Sequence, residues 1–292
     1  MSDVIAAPSV RALALQKGID LEKLARDLGR TSIAREDLEG TKPAAGPAGD
    51  TSYWDVDHSQ FGPVTEEPMS RFAQVAAANL GAANALIPQV THHDRADVSS
   101  IEALRKELKP EAQARGVKLT ALAFQAKALA RALCEFPRFN SSLSPDGKTL
   151  TLKDYVHIGI AVDTAHGLMV PVVRDVDSKG LWQIATEISD LVSRAQNRKA
   201  GPDEMGGASM TITNLGGIGG IGFTPIVNPP EVAILGITRT ETVTVWEGDT
   251  PRPVPMVPLD LSYDHRVING ADAARFVSYL ARLIADPRRI MV

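Results

Sequence analysis

The hydrophobic positions of this chain follow two spacings, and both recur from residue 53 to the C-terminus. Segments with apolar residues three and four positions apart predict helices, whereas short runs rich in Val, Ile and Thr predict strands. That combination predicts a mixed α/β domain. The predicted helices cover residues 70–83, 99–114, 120–135, 181–197 and 271–284. The predicted strands cover residues 89–97, 156–162, 169–173, 209–214, 232–237, 241–246 and 253–262.

A small helical unit is predicted before this domain, at residues 4–38. Pro8 begins one helix, Gly18 ends it, and Asp20 caps a second short helix. A unit of about 35 residues makes only a marginal core. The stretch at 39–52 is rich in Pro, Ala and Gly, which is typical of a flexible linker. Residues 53–292 therefore form the second and larger predicted domain.

Composition narrows the class of protein. Of the 292 residues, 44% are hydrophobic and the formal net charge is −4, so we expect a substantial core and no nucleic-acid partner. The chain has no apolar run of about 20 residues, which a membrane span requires, and no secretion signal at its start. The single cysteine, Cys134, fits a reducing cytosol, and its place in a helical run predicts a buried structural thiol. These features predict a cytoplasmic protein.

Two motifs suggest ligands but fit structural roles better. Gly217, Gly219 and Gly222 have the spacing of a dinucleotide-binding fingerprint. That fingerprint must open a helix, which the prolines at 225, 229 and 230 prevent. His92 and His93 are neighbours on a predicted strand and point to opposite faces, so they do not easily share a metal ion. We expect neither a dinucleotide site nor a metal site, and interpret these histidines as surface or strand residues.

A candidate for proton transfer is His265, which lies between Asp264 and Arg266, after a strand-like run and before an Asn-Gly turn. Histidine titrates near neutrality, which suits a general base. The alternative is a hydrogen-bonded core histidine beside structural ion pairs. Residues 211–214 end an earlier strand with hydroxyl and amide groups, which suit the stabilisation of an oxyanion. A base together with a hydroxyl donor favours acyl transfer.

Residues 264–271, Asp-His-Arg-Val-Ile-Asn-Gly-Ala, resemble the His-x-x-x-Asp-Gly signature of the dihydrolipoyl acyltransferase components of 2-oxo acid dehydrogenase complexes. Similar segments at 54–64, 136–143, 167–176 and 224–236 extend the resemblance over the whole of residues 53–292. The segment at 54–64 is most similar to pyruvate dehydrogenase members, which implies an acetyl group. The family implies an α/β fold like that of chloramphenicol acetyltransferase, and trimers that assemble into a larger shell, here a cubic 24-mer.

The resemblance also implies roles for individual residues. His265 is implied as the general base that takes a proton from the thiol of coenzyme A or of dihydrolipoamide. Thr213 matches the family's Ser or Thr that stabilises the oxyanion and is supplied by a neighbouring subunit. Asp163 and Arg105 match positions that contact coenzyme A or shape its pocket. Asn269 stands where the family usually has Asp, and because an amide does not exchange protons near neutrality, it can only orient other groups.

Residues 4–38 resemble the peripheral subunit-binding domain through the segments 8–11, 18–20 and 36–38. Leu15 and the loop at 26–32 depart from the basic groups that such domains use to bind partner enzymes. The implied partners are the 2-oxo acid decarboxylase, the dihydrolipoamide dehydrogenase and a lipoyl domain, whose lipoyl group is expected on a domain absent from this chain. Two alternatives remain: a catalytically silent core subunit that only scaffolds the complex, and a stand-alone acetyltransferase for a small hydroxyl compound.

Overall fold

A computed structural model describes residues 4–28, 31–33, 37–38, 54, 56–165 and 167–291 of the chain. The chain divides into two compact units, Met1–Pro68 and Met69–Val292. The predicted linker at 39–52 lies outside the described residues, so the predicted domain boundaries stay predictions.

The first unit contains the two predicted short helices. Helix α1 (Pro8–Lys17) ends at Gly18, whose φ of 64° is a left-handed conformation that glycine adopts without steric cost. Helix α2 (Leu21–Asp27) begins after Asp20, whose carboxylate accepts two hydrogen bonds from backbone N–H groups of the first turn. A short parallel strand pair, which the sequence pattern does not predict, comprises β1 (Ile5–Ala6) and β2 (Ser32–Ile33).

Among its described residues, the second unit has six α-helices that lie close to the predicted positions. The predicted helix at 99–114 is divided at Leu108, two residues before Pro110. Proline has no N–H to donate to the carbonyl four residues earlier, and its ring crowds that carbonyl. None of the described helices is both long and apolar enough to cross a membrane. The helices are α3 (Arg71–Leu86), α4 (Ser99–Glu107), α5 (Lys109–Ala114), α6 (Ala121–Glu135), α7 (Leu181–Gln196) and α8 (Gly270–Ala285).

A seven-stranded mixed sheet forms the centre of the second unit. Its strands are β3 (Gln89–Asp97), β6 (Ile158–Ile160), β9 (Val172–Val173), β10 (Met210–Asn214), β11 (Ala233–Ile237), β12 (Glu241–Glu247) and β13 (Thr250–Asp264). The order is β12-β13-β11-β10-β6-β9, and β3 pairs with the other edge of β13. Strand β10 pairs in parallel with β6 and β11, and the remaining pairs are antiparallel. The predicted α/β mixed-sheet class is therefore confirmed.

In the described part of the second unit, two strand pairs lie outside this sheet. The predicted strands at 156–162 and 169–173 are each divided, because the chain leaves the main sheet after Ile160 to form a separate hairpin and returns at Val172. The pair at 141–143 and 150–152 is not predicted, because strands of three residues carry too little periodicity. The pairs are β4 (Ser141–Leu143) with β5 (Leu150–Leu152), and β7 (Val162–Thr164) with β8 (Gly167–Met169).

The two faces of the sheet differ in polarity around β13. Successive side chains of a strand point to opposite faces, so Leu259 and Leu261 enter the core beneath the helices, whereas Asp260 and Ser262 lie on the other face. All four are nevertheless buried. The polar face is therefore covered as well, and burying its polar groups requires hydrogen-bond partners.

The predicted burial of the single cysteine is wrong. Cys134 is exposed, in the last turn of α6. The buried positions of this helix end at Leu133, and both Cys134 and Glu135 lie beyond the core. Helical periodicity places a residue on a face of the helix but does not show where the helix leaves the core.

Candidate active site

The turn that carries His265 is held by its two charged neighbours. Asp264 ends β13, and its carboxylate accepts a hydrogen bond from the backbone N–H of Arg266 at 2.9 Å. The guanidinium of Arg266 binds the same carboxylate through Nε and Nη2, at 2.9 and 2.7 Å. This hydrogen-bonded pairing raises the pKa of Arg266. The interpretation of the flanking charges as a structural ion pair is confirmed.

Other elements fix the same turn from outside. The backbone N–H of His265 donates to the carbonyl oxygen of Pro88 at 3.1 Å, and Arg138 Nη1 donates to the carbonyl oxygen of Val267 at 3.1 Å. The imidazole itself is exposed, with the buried Tyr263 ring 5.8 Å away between centroids. The alternative of a core histidine is therefore wrong, because a fixed backbone presents the imidazole to the outside of the chain.

Asn269 makes its hydrogen bonds to the helix that follows it. Its Oδ1 accepts from the backbone N–H of Asp272 at 2.9 Å, and its Nδ2 donates to Asp272 Oδ2 at 2.6 Å. It is thus the N-cap of α8. Within one chain, the orienting action of Asn269 is on the start of α8.

Thr213 lies near the end of β10 and is partly buried. Its hydroxyl makes no hydrogen bond within the described part of the chain. The next residue, Asn214, accepts the backbone N–H of Gly216 at 2.8 Å and so begins the glycine-rich turn. No helix occurs from residue 215 to 230, as the prolines predict. A hydroxyl without an internal partner at the end of a rigid strand is available to an external group.

His265 and Thr213 do not meet within one chain. The register pairs Thr213 with Gly236 and Gly236 with Asp260, so Thr213 is level with Asp260 and two strands away, about 10 Å. His265 follows Asp260 by five positions, which adds about 16 Å along the strand direction. A site that uses both groups therefore requires two chains.

The two predicted coenzyme A contacts lie elsewhere in the second unit. Asp163 is exposed on β7, opposite Leu168. Arg105 on α4 already pairs with Glu102 at 2.6 Å and donates through Nε to the Leu119 carbonyl at 3.3 Å. Neither makes a hydrogen bond or ion pair with His265 or Thr213 among the described residues.

Glu231 is a buried carboxylic acid that sequence reasoning missed. Its Oε1 accepts from the Thr211 hydroxyl at 2.8 Å and from Asn228 Nδ2 at 3.0 Å, while Oε2 has no hydrogen-bond partner among the described residues. Burial raises the pKa of Glu231 to about 7, although these hydrogen bonds oppose the rise. Its signal in the sequence is a charged residue between two prolines and the apolar run at 232–237.

His93 has a partner that sequence reasoning also missed. Its Nδ1 lies 2.6 Å from Oδ1 of Asp260, whose side chain is 2% exposed while that of His93 is 55% exposed. The prediction of a strand histidine is confirmed, and the pairing is additional. Among the described residues, no three His, Cys, Asp or Glu side chains form a group that could hold a metal ion.

Comparison with known proteins defines the class to which this chain belongs. The model of the family "2-oxoacid dehydrogenases acyltransferase (catalytic domain)" matches residues 61–292. The chain is therefore a member of that acyltransferase family, and the resemblance stated from the sequence is confirmed.

Two relatives of this chain are named as components of pyruvate dehydrogenase complexes. The dihydrolipoyllysine-residue acetyltransferase component of the pyruvate dehydrogenase complex of Pseudomonas aeruginosa is 48% identical over 301 residues, covering 99% of this chain and 55% of the relative. The corresponding Azotobacter vinelandii component is 46% identical over 302 residues, covering 99% of this chain and 47% of the relative. The chain thus spans about half the length of these relatives.

Solved structures agree with this placement. A crystal structure of the Azotobacter vinelandii dihydrolipoamide acetyltransferase has a TM-score of 0.80 at 50% identity, covering 81% of this chain and 98% of that one. It accompanied work on the role of a serine, a histidine and an asparagine in that enzyme's catalytic mechanism. The cubic core of a pyruvate dehydrogenase multienzyme complex matches with a TM-score of 0.80 at 51% identity and the same coverage.

Proposed function

We propose that this chain transfers an acetyl group between dihydrolipoamide and coenzyme A in a pyruvate dehydrogenase complex, and that residues 53–292 form the core of that complex. The observation that carries the proposal is the pair of available groups at the two ends of one sheet. His265 is exposed on a fixed turn, and Thr213 has a hydroxyl without a partner in the described chain. The names of the similar proteins supply the acetyl group, the dihydrolipoamide and the complex, and the family resemblance implies coenzyme A.

The spacing of the site residues supports their assignment. In the Azotobacter vinelandii enzyme, the serine, histidine and asparagine under study are separated by 52 and by 4 positions. Thr213, His265 and Asn269 are separated by the same 52 and 4 positions. The hydroxyl is a threonine's here, and the histidine and the amide are of the same type.

His265 acts as the general base in this proposal. A thiol with a pKa near 8.5 is mostly protonated at pH 7, so the imidazole takes the proton from the thiol of coenzyme A. The sulfur then attacks the thioester carbonyl carbon of acetyl-dihydrolipoamide. When the intermediate collapses, its carbon–sulfur bond to the lipoyl group breaks, and the imidazolium returns the proton to the leaving thiolate. The steps need no metal ion.

Thr213 of the neighbouring subunit donates a hydrogen bond to the oxyanion of the tetrahedral intermediate. The separation of about 10 by 16 Å within one chain supports this arrangement, because only a second chain brings the hydroxyl to His265. Trimers are the smallest assembly that we propose, and 24 subunits the complete shell. The cubic core of the similar pyruvate dehydrogenase complex supports the assembly of trimers into this shell.

Asp163 and Arg105 hold coenzyme A in this proposal, and a lipoyl domain presents the lipoyl group. The guanidinium of Arg105 keeps free donors beyond those that bind Glu102 and Leu119. The remaining partners are the 2-oxo acid decarboxylase and the dihydrolipoamide dehydrogenase, bound through residues 4–38, in the cytoplasm. A pull-down of the dehydrogenase with the whole chain tests this docking. No binding at low salt would remove it.

The catalytic proposal is tested with free dihydrolipoamide and acetyl-coenzyme A. His265→Ala is expected to lower kcat by about 10²–10⁴-fold, the usual contribution of a general base. Thr213→Ala is expected to cost about 10²–10³-fold, while Thr213→Ser retains the hydroxyl and most of the rate. No turnover by the wild-type shell would instead identify a silent core subunit, the second candidate function. Acetyl transfer only to an alcohol would identify a stand-alone acetyltransferase.

A further inference from the structure

Residues 215–230 follow Thr213 along the chain and lie over the polar face of the sheet. Val227 of this segment is fully buried and packs in one cluster with Ala83 of α3 and Ile234 of β11. Side chains of the sheet fasten the segment to this face: the backbone N–H of Val227 donates to Gln89 Oε1 at 2.7 Å. The backbone N–H of Phe223 donates to Asp260 Oδ2 at 3.2 Å.

Asp260 is the central residue of this attachment. Its carboxylate is buried, and its two oxygens have different partners: Oδ1 contacts His93 Nδ1 at 2.6 Å and Oδ2 accepts from Phe223. The imidazole thereby fixes the orientation of the carboxylate, and the carboxylate fixes the start of the proline-containing part of the segment. Ile221 and Gly222 line an open cavity of about 570 Å³ beside His93 and Asp260, so packing alone does not hold the segment here.

The ring of Phe223 lies over Gly236, which is the one residue without a side chain in a row that crosses four neighbouring strands. The register aligns His93 on β3, Asp260 on β13, Gly236 on β11 and Thr213 on β10 in one row. A Cβ added to Gly236 would stand 2.8 Å from Cε1 and Cζ of Phe223, closer than any real contact. The aromatic ring thus fills the gap between Asp260 and the strand that presents Thr213.

We propose that Asp260, oriented by His93, is a positioning residue for acetyl transfer, because it holds Phe223 over Gly236 beside the Thr213 strand. This inference rests on the proposed function of Thr213. The chain of contacts runs from His93 to Asp260, from Asp260 to the backbone of Phe223, and from the Phe223 ring to Gly236. Loss of the middle contact releases the ring and lets the end of β10 move.

Asp260→Leu removes both hydrogen bonds and keeps the branched shape and the number of side-chain heavy atoms. It is expected to lower kcat by about tenfold or more, since small misplacements of a catalytic group have effects of this size. KM is expected to change by less than about threefold, because the oxyanion exists only after the substrates have bound. Asp260→Asn rescues the activity: its Oδ1 accepts from Phe223 and its Nδ2 donates to His93.

Two further variants separate positioning from general destabilisation. Thr91→Val removes the hydrogen bond between the Thr91 and Ser262 hydroxyls, which is 2.7 Å long and lies two register positions away on the same strands. It is expected to leave kcat unchanged. Gly236→Ala keeps the Asp260 carboxylate, but it places a Cβ 2.8 Å from the Phe223 ring and 3.2 Å from Asp260 Cβ. The ring is therefore displaced, and kcat is expected to fall as in Asp260→Leu. Unchanged kcat in Gly236→Ala would overturn the proposal, even where Asp260→Leu does not fold.

Hydrogen exchange of the Phe223 amide, followed in peptides spanning 221–228, tests the attachment without any assay of activity. We expect exchange at least about tenfold faster in Asp260→Leu than in wild type, Asp260→Asn or Thr91→Val, because a freed amide opens locally. Equal exchange in all four proteins would overturn the attachment. Faster exchange with wild-type kcat would overturn the link between the attachment and catalysis. An inactive wild type would overturn the proposed function, and with it the positioning role in acetyl transfer, but not the attachment that hydrogen exchange measures.

Discussion

The turn around His265 and the end of β10 at Thr213 belong to one sheet but are built in different ways. The His265 turn is fixed by bonds within the chain, from Arg266 to Asp264, from His265 to Pro88 and from Arg138 to Val267. Thr213 lies on a strand whose backbone is paired on both sides, yet its hydroxyl has no partner in the described chain. Under the proposed function, one chain therefore offers two half-sites, and a neighbouring chain completes each of them.

The strongest test of this comparison mixes two inactive proteins. Coexpressed His265→Ala and Thr213→Ala chains are expected to regain about a quarter of the wild-type activity, because random assembly pairs an intact histidine with an intact neighbouring threonine in one site of four. Each variant alone stays below about 1%. Turnover of the mixed assemblies is the measurement. No recovery in mixed trimers would show that both groups act within one chain.

The next test loosens the histidine turn without touching the imidazole. Arg266→Met leaves the buried Asp264 carboxylate without its bidentate partner, and kcat is expected to fall about tenfold as the turn shifts. The matched control is Arg275→Met, which removes an exposed pair with Asp272. The measurement is the steady-state kcat of both variants. Equal kcat for Arg266→Met and wild type would contradict a positioning role for the ion pair.

A smaller effect is expected at the N-cap of α8. Asn269→Asp keeps a capping oxygen for the Asp272 backbone N–H, so kcat should fall by less than about tenfold. It also places a second carboxylate where Nδ2 now donates to Asp272, and adding Asp272→Asn removes that repulsion. A loss above about a hundredfold, roughly 2.7 kcal/mol of barrier, that the double variant does not repair would rule out a purely orienting Asn269.

The smallest effect on catalysis is expected at Glu231. The effect expected there is on stability. Its pKa is about 7 in the folded chain against 4.5 as the ordinary value, so the folded state binds a proton that the unfolded state has released. The contribution of Glu231 to the free energy of unfolding is therefore fully present below about pH 4.5. It is lost as the pH rises through 7, by roughly 3 kcal/mol in all.

Glu231→Gln removes this dependence while it keeps an acceptor for the Thr211 and Asn228 hydrogen bonds. Thermal unfolding between pH 5 and 8 is the measurement. The wild type is expected to lose more stability over that range than the glutamine variant does. Parallel curves for the two proteins would show that Glu231 does not titrate there.

Much of the fold is predictable from local pattern. Strand β3 spans residues 89–97 as predicted, and Asp20 and Gly18 delimit their helices through side-chain and backbone preferences that act within a few residues. The wrong predictions have two causes, one local and one tertiary. Three-residue strands such as Ser141–Leu143 carry too little periodicity, and the exposure of Cys134 depends on where α6 leaves the core.

The sequence by itself determined the α/β class, most element positions, the family, and His265 and Thr213 as candidates, because these depend on spacing and on residue chemistry. Only the tertiary structure decided that the two candidates lie at opposite ends of one sheet, and that His93 binds Asp260. The partners in that pair are 167 positions apart, and no local pattern relates them. Strand register joins distant segments, so side chains become neighbours only when the whole sheet has formed.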